Sequence, residues 1–351
     1  MSDETVFVVG AGFTRAFVPQ APLLVDDYKI LCLRKNFKSF PHAVSVLDQA
    51  LSEYNDGSVD LEKLMTRVSG MPYDAVDARH ELALLETALR RNLVKRITDA
   101  KAQVDWAGLQ KVARLGFERR ASFVTFNYDD ILEAALWEVA QNWAQSPDWD
   151  PYGRPAWHPD GGYGFYCRPS IVCVSDVLSL MDQTRILVLK LHGSINWRTR
   201  LGEGATSGPA AILHHEDWYS PRTGPRVPLI STDIIEQHLE SAPFIIPPVL
   251  VKAELAVHPV LSVVWKLAYE QLKAAKTVTF IGYSLPVTDL ASRTLFSETL
   301  KDKAAQVQIV NLGRTNEDEN RIKSAYQSLL PNLPHANFSF SGASAWIESQ
   351  S

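Results

Sequence analysis

Two hydrophobic periods alternate along this chain. Short apolar runs at Thr5–Val9 (TVFVV), 121–126 (ASFVTF), 185–190 (RILVLK), 276–281 (KTVTFI) and Val307–Val310 (VQIV) are rich in β-branched and aromatic residues, which predicts short buried strands. Other segments place apolar residues three and four apart. DILEAALWEVA, PVLSVVWKLAYEQLKAA, the stretch 289–300 and RIKSAYQSLL each read as a helix, and the strands alternating with them predict an α/β fold of Rossmann-like, doubly wound type around a parallel sheet. Between the first run and the second, HAVSVLDQALSEY, SVDLEKLMTRV, HELALLETALRRNLVKRITDA and WAGLQKVARL keep the helical period. They form a helical insertion over 26–115, expected as a lobe or lid. Ser58 to Glu62 reads as a helix start with an acidic first turn, and Glu53, Asp56, Asp60 and Glu62 as a solvated face.

Two stretches break the alternation. Residues 141–184 contain SPDWDPYGRPAWHPDGGYGFYCRP, dense in proline, glycine and aromatic residues. Disordered segments are poor in aromatics, so the composition predicts an ordered loop-rich excursion, either packed on the surface, which we favour, or walling a pocket. Residues 198–243 form a second, glycine- and proline-rich excursion. Everything else fits one domain spanning 1–351, with these insertions inside it.

Composition then narrows the class. Hydrophobic residues make up 46% of the 351 positions, enough for a large globular core. The 35 basic and 40 acidic residues give a net charge of −5 without a long run of either sign, so no footprint for direct nucleic-acid binding is visible. Three cysteines, Cys32, Cys167 and Cys173, form no CxxC pair. That argues against a disulfide scaffold and for a reducing cytoplasm. Zinc would need Cys167 and Cys173 with His158, His214 or His215 at spacing no known motif supports, so no metal is expected. No apolar stretch approaches the ~20 residues of a membrane helix.

The candidate chemistry sits where strands end. Thr5–Val9 runs into Gly10-Ala11-Gly12 and Thr14, a turn whose small residues let phosphates approach the backbone, although the third glycine of the dinucleotide fingerprint is missing. The second strand delivers Thr125-Phe126-Asn127-Tyr128-Asp129-Asp130. Two readings are open there: a cap by Asp129 or Asp130 with Asn127 holding the turn, or a polar site at the carboxyl edge of the sheet. The third ends in His192-Gly193, a residue type suited to proton transfer near neutral pH. The fourth ends in Gly282-Tyr283-Ser284-Leu285-Pro286-Val287-Thr288-Asp289, and the fifth in Asn311-Leu312-Gly313.

In that order, GAGFT, TFNYDD, LHGSINW, GYSLPVTD and VNLG resemble the sirtuin family, and more closely its prokaryotic NAD-hydrolysing branch associated with anti-phage defence. The resemblance covers roughly 5–14, 122–132, 187–197 and 262–313. It implies that Gly10, Ala11, Gly12, Thr14 and Thr125 lie in the NAD-binding turns, that Gly282 and Ser284 contact ribose, and that Asn311 lies near the adenosine. It further implies Asn127, Asp129 and His192 as catalytic residues, with Asn127 holding a ribose and a water, Asp129 gripping the nicotinamide carboxamide, and His192 as the base. Phe126 departs from the glutamine expected there, the four-cysteine zinc module is absent, and IIPPVLVKAE replaces the peptide-pairing segment. These departures favour water as acceptor and hence an NAD glycohydrolase with NAD as substrate, an NAD-depleting effector of defence by abortive infection. A deacylase or ADP-ribosyl transferase, and a nucleotide-binding sensor or assembly subunit without turnover, are the competing readings. Because draining NAD is toxic, control by homo-oligomerisation or by a sensor or activator partner is expected, an ATPase, a short Argonaute or another nucleotide-handling subunit.

Overall fold

Uniformly apolar strands have to be covered on both faces, and the chain achieves this with a six-stranded sheet between two helical layers. The computed structural model describes residues 5–54, 56–70, 76–143, 157, 159–165, 186–199, 211–212, 242–246, 259–286 and 289–350. The sheet comprises β1 (Thr5–Val9), β2 (Ser122–Thr125), β3 (Val188–Lys190), β4 (Thr277–Ile281), β5 (Val307–Val310) and β6 (Phe338–Ser339). Its order is β6-β5-β4-β1-β2-β3 and every neighbouring pair is parallel. That is the doubly wound Rossmann order.

Register decides where the site lies. Val9 pairs with Thr125 and with Ile281, Thr125 with Lys190, and Ile281 with Val310. The last residues of five strands therefore stand in one row, and the loops that follow them leave from one edge. The strand order reverses at β1, between β2 and β4, so the chain departs to opposite sides there and leaves a crevice.

The helices Ala11–Phe17, Trp106–Glu118 and Ala343–Glu348 contact one another, with Trp346 set edge-on to Phe7 of β1 at 6.2 Å. Pro259–Ala274 and Leu290–Leu300 pack together as a second group. Capping follows the local chemistry: Asp105 accepts from Gly108 N at 3.0 Å and Thr315 from Asp318 N at 3.1 Å.

The helices Ile30–Asn36, Pro41–Leu51, Leu61–Gly70 and Val76–Ala100 build a second hydrophobic core around Leu47, Leu64, Met65, Leu85 and Leu89. Trp106–Glu118 instead sends Leu109, Val112, Ala113 and Phe117 into the main core. Ile195 and Ile245 belong to the lobe's core, and Tyr128 packs against it. Ile195 and Ile245 lie on the antiparallel strands Gly193–Thr199 and Ala242–Ile245, and the first of these begins directly after His192. The lobe is thus bound to the site-bearing edge of the sheet.

Three local expectations are corrected. Trp157 and Tyr163 are fully buried and Phe165 is nearly so, packed on Trp197, so this part of the aromatic excursion is core rather than surface. Residues 198–199, expected in the second excursion, instead end the strand Gly193–Thr199, because Ala242, Pro243, Phe244 and Ile245 pair with it. Glu62 is buried rather than solvated. Most of 141–184 and 198–243, including His158, Cys167, Cys173, His214 and His215, and the segment 247–258, lie outside the described residues. Among the described residues no helix is long and apolar enough to cross a membrane.

Candidate active site

The crevice between β1 and β4 is built by two turns pressed together. Gly12 N donates to Gly282 O at 2.8 Å and Gly10 N to Ile281 O at 3.2 Å. A Cβ on Gly282 would stand 2.0 Å from Phe13 N, and the residue holds φ +64°; a Cβ on Gly10 would meet Tyr283 and Gly282 O below 3.0 Å. Glycine is required here for chain-to-chain approach, whatever else approaches from the open side.

Above this contact lies a cavity of about 500 Å³, within the range of small-molecule sites. Ala11, Gly12, Thr14, Asn127, Asp129, His192, Gly282, Ser284 and Asn311 line it, so residues from five strand ends meet in one space. Two expected contacts stand behind the wall. Gly10 O accepts from Asn127 Nδ2 at 2.9 Å, and Thr125 Oγ1 accepts from Asn127 N at 3.1 Å. Asn311 spends its Nδ2 on Tyr283 O at 3.0 Å, fixing the turn after β4.

Hydrogen-bond direction fixes the amide of Asn127. The carboxylate Asp129 Oδ2 can only accept, so Thr14 Oγ1 donates to it at 2.7 Å. The Thr14 oxygen therefore accepts from Asn127 Nδ2 at 2.9 Å, and the second Nδ2 hydrogen goes to Gly10 O. Both amide hydrogens are consumed, which leaves Asn127 Oδ1 as an acceptor on a cavity-lining residue. Asp129 Oδ1 also takes the backbone N–H of Ile131 at 3.4 Å, at the start of the helix Ile131–Trp143. The capping role and the site position thus coincide in one residue.

His192 is buried and lies against the edge of the cavity's aromatic floor. The Phe126 ring stacks on Tyr283 with centroids 4.5 Å apart and meets His192 edge-to-face at 5.3 Å. Tyr128 sends its hydroxyl to Ile246 O at 2.6 Å. His192 Nε2 stands 4.0 Å from Asp289 Oδ2.

No family model matches this chain, and neither does any curated protein. Among solved structures, it is similar to a Sir2 enzyme studied for mechanism and regulation, at 13% identity over 99% of this chain and 91% of that one, with a TM-score of 0.42. A Sir2 homologue variant in complex with ADP-ribose gives 12% identity over 93% and 92%, TM-score 0.40. A Sir2 bound to an inhibitor, 2′-O-acetyl-ADP-ribose and a deacetylated peptide gives 13% over 93% and 92%, TM-score 0.33.

Several site-forming residues escape a reading of the sequence. Lys190, the last residue of β3, is 1% exposed; its Nζ donates to the Asp129 carbonyl and to Glu133 Oε1, the latter at 2.7 Å. Burial pushes Glu133 up to about 7 from an ordinary 4.5, with the Lys190 charge opposing. Asp130 is ion-paired with Lys101, which follows the long lobe helix, so the lobe holds the loop bearing Asn127. Burial and the charge of Asp289 hold the Tyr283 phenol well above its usual range, keeping it a neutral donor. A lysine closing an otherwise apolar strand, RILVLK, is a visible signal for the first of these. Leu23, Leu93 and Ile97 give the cavity an apolar side under the lobe.

Proposed function

We propose that the chain is an NAD glycohydrolase, cleaving the nicotinamide–ribose bond with water as the acceptor. The observation that carries this reading is the chain of hydrogen bonds Asn127–Thr14–Asp129, which fixes an acceptor on a residue lining the cavity at the sheet's switch point, with a buried histidine lining the same cavity.

Rupture of that bond sends its electron pair to the pyridinium nitrogen, so nicotinamide leaves neutral while positive charge develops at the anomeric carbon. Asn127 Oδ1 holds a water or ribose hydroxyl by accepting its hydrogen bond. Asp129 keeps lone pairs beyond those engaged by Thr14 and Ile131 and accepts from the carboxamide NH₂. The water oxygen bonds to carbon and its proton passes to His192. Phe126 supports hydrolysis over transfer through ribose hydroxyls, because an apolar ring beside His192 offers them no hydrogen bond. By the family resemblance, the biological setting is anti-phage defence, with activity gated by a partner or by self-assembly.

Nicotinamide release by the purified chain, with and without the product of its neighbouring gene, tests this. Asn127→Ala and His192→Ala should each lower release by about 10²-fold or more while the chain stays folded. NAD binding without release under any condition would sink the hydrolase reading in favour of a nucleotide sensor. Release only with an acylated peptide would favour a deacylase.

A further inference from the structure

The helix Leu290–Leu300 begins with a carboxylate whose two oxygens point to different work. Asp289 Oδ1 accepts from Ser292 N at 3.4 Å, an ordinary cap. Its Oδ2 stands 3.4 Å from the Tyr283 hydroxyl, which donates to it, and 4.0 Å from His192 Nε2. A cap is served equally by serine, asparagine or aspartate. Asp289, however, is only 5% exposed, and a buried charge is costly unless opposite charge or donors offset it. A carboxylate in this place favours a cation beside it, and the His192 imidazole 4.0 Å away is a group that can become one. Phe126 restrains the same imidazole edge-to-face, so its ring plane and its charge are constrained by two different elements.

We infer that Asp289 is a positioning residue: its Oδ2, steadied by the Tyr283 hydroxyl, orients the His192 imidazole in the cavity and stabilises the imidazolium formed when His192 takes a proton. This rests on the base role of His192 proposed above, but its physical content, a charge pair, is measurable without turnover. Among the described residues, the other ionisable groups lining the cavity are Asp129, Glu62, Lys101, Arg321 and the phenols of Tyr28, Tyr128 and Tyr283. Lys101 and Arg321 oppose formation of the imidazolium, while Asp129 and Glu62 assist it to a degree set by distance. The variant comparison below holds all of them constant.

The test uses Asp289→Asn in the full chain, a substitution that keeps the cap and removes the charge. Histidine ring NMR, with the His192 signal assigned from His192→Gln, should show the imidazole titrating at lower pH in Asp289→Asn than in the wild type. The acid limb of the nicotinamide-release profile should move the same way, and kcat should fall about tenfold or more with KM within about twofold. A merely structural cap predicts an unchanged ring titration, and that result would overturn the inference. If the titration moves but neither protein releases nicotinamide, the charge pair stands and the hydrolase reading fails. Asp289→Ser, which also caps, supplies the same comparison should the asparagine variant not fold.

Discussion

Thr14 shows how much one hydroxyl can decide. It donates to Asp129 and accepts from Asn127, and together with the Gly10 carbonyl, which can only accept, it fixes the Asn127 amide so that Oδ1 is left for other partners. Thr14→Val keeps the shape and removes both bonds. It leaves a buried carboxylate short of a donor, at about 1–3 kcal/mol, and leaves the Asn127 amide held by the Gly10 carbonyl alone. Nicotinamide release should fall at least tenfold, thermal stability should drop modestly, and Thr14→Ser should restore most of both. Unchanged release in the valine variant would show that the amide is held by other means. The resemblance places this threonine in the NAD-binding turn, but not in the bonds that set its role. Its partners lie more than a hundred residues away, and no local pattern reports hydrogen-bond direction.

At the scale of elements, the loop between β2 and the helix Ile131–Trp143 is held from beneath by Lys190 of β3. The lysine binds the Asp129 carbonyl and the Glu133 carboxylate in a site closed to solvent. The folded-state value of Glu133, about 7, lies above its ordinary 4.5. Between these values the folded chain holds a proton that the unfolded chain releases, so this group's stabilisation is full below about 4.5 and is lost as pH rises through 7. Glu133→Gln mimics the protonated acid, so denaturant titrations should match wild type near pH 4 and diverge toward neutral pH as the unfolded wild type ionises. A constant difference across that window would contradict the assignment. The strands themselves were legible because burial on both faces leaves uniform apolar runs; Thr5–Val9 and Val307–Val310 fall where the pattern puts them. The strand Gly193–Thr199 was not, since its half-polar sequence SINWRT is stabilised by pairing with a distant segment. The short β6 and the closing helix Ala343–Glu348 also leave too little period to read. Asp289 was visible only as a helix start, because a cap and a charge partner use the same residue type.

For the whole molecule, one row of strand ends explains why motifs scattered from Gly10 to Asn311 meet. The ordered set of loops was legible; the strand order that makes them converge was not, because it is fixed by packing between segments far apart in the chain. The lobe gives the cavity its apolar side and reaches the loop carrying Asn127 through Lys101 and Tyr128, while Arg90 donates to Ile245 O at 3.4 Å on the strand paired with Gly193–Thr199. The lobe and the loop carrying Asn127 are therefore physically tied, and control as proposed above would use that tie. The central claim is that water is the acceptor. The most direct test incubates the purified protein, in its activated assembly where one is required, with NAD and no acylated peptide, and quantifies nicotinamide and ADP-ribose by mass spectrometry. Equal amounts of the two, both abolished in Asn127→Ala, are expected; ADP-ribose formed only when an acylated peptide is added, and carrying that peptide's acyl group as an ester, would contradict water as the acceptor.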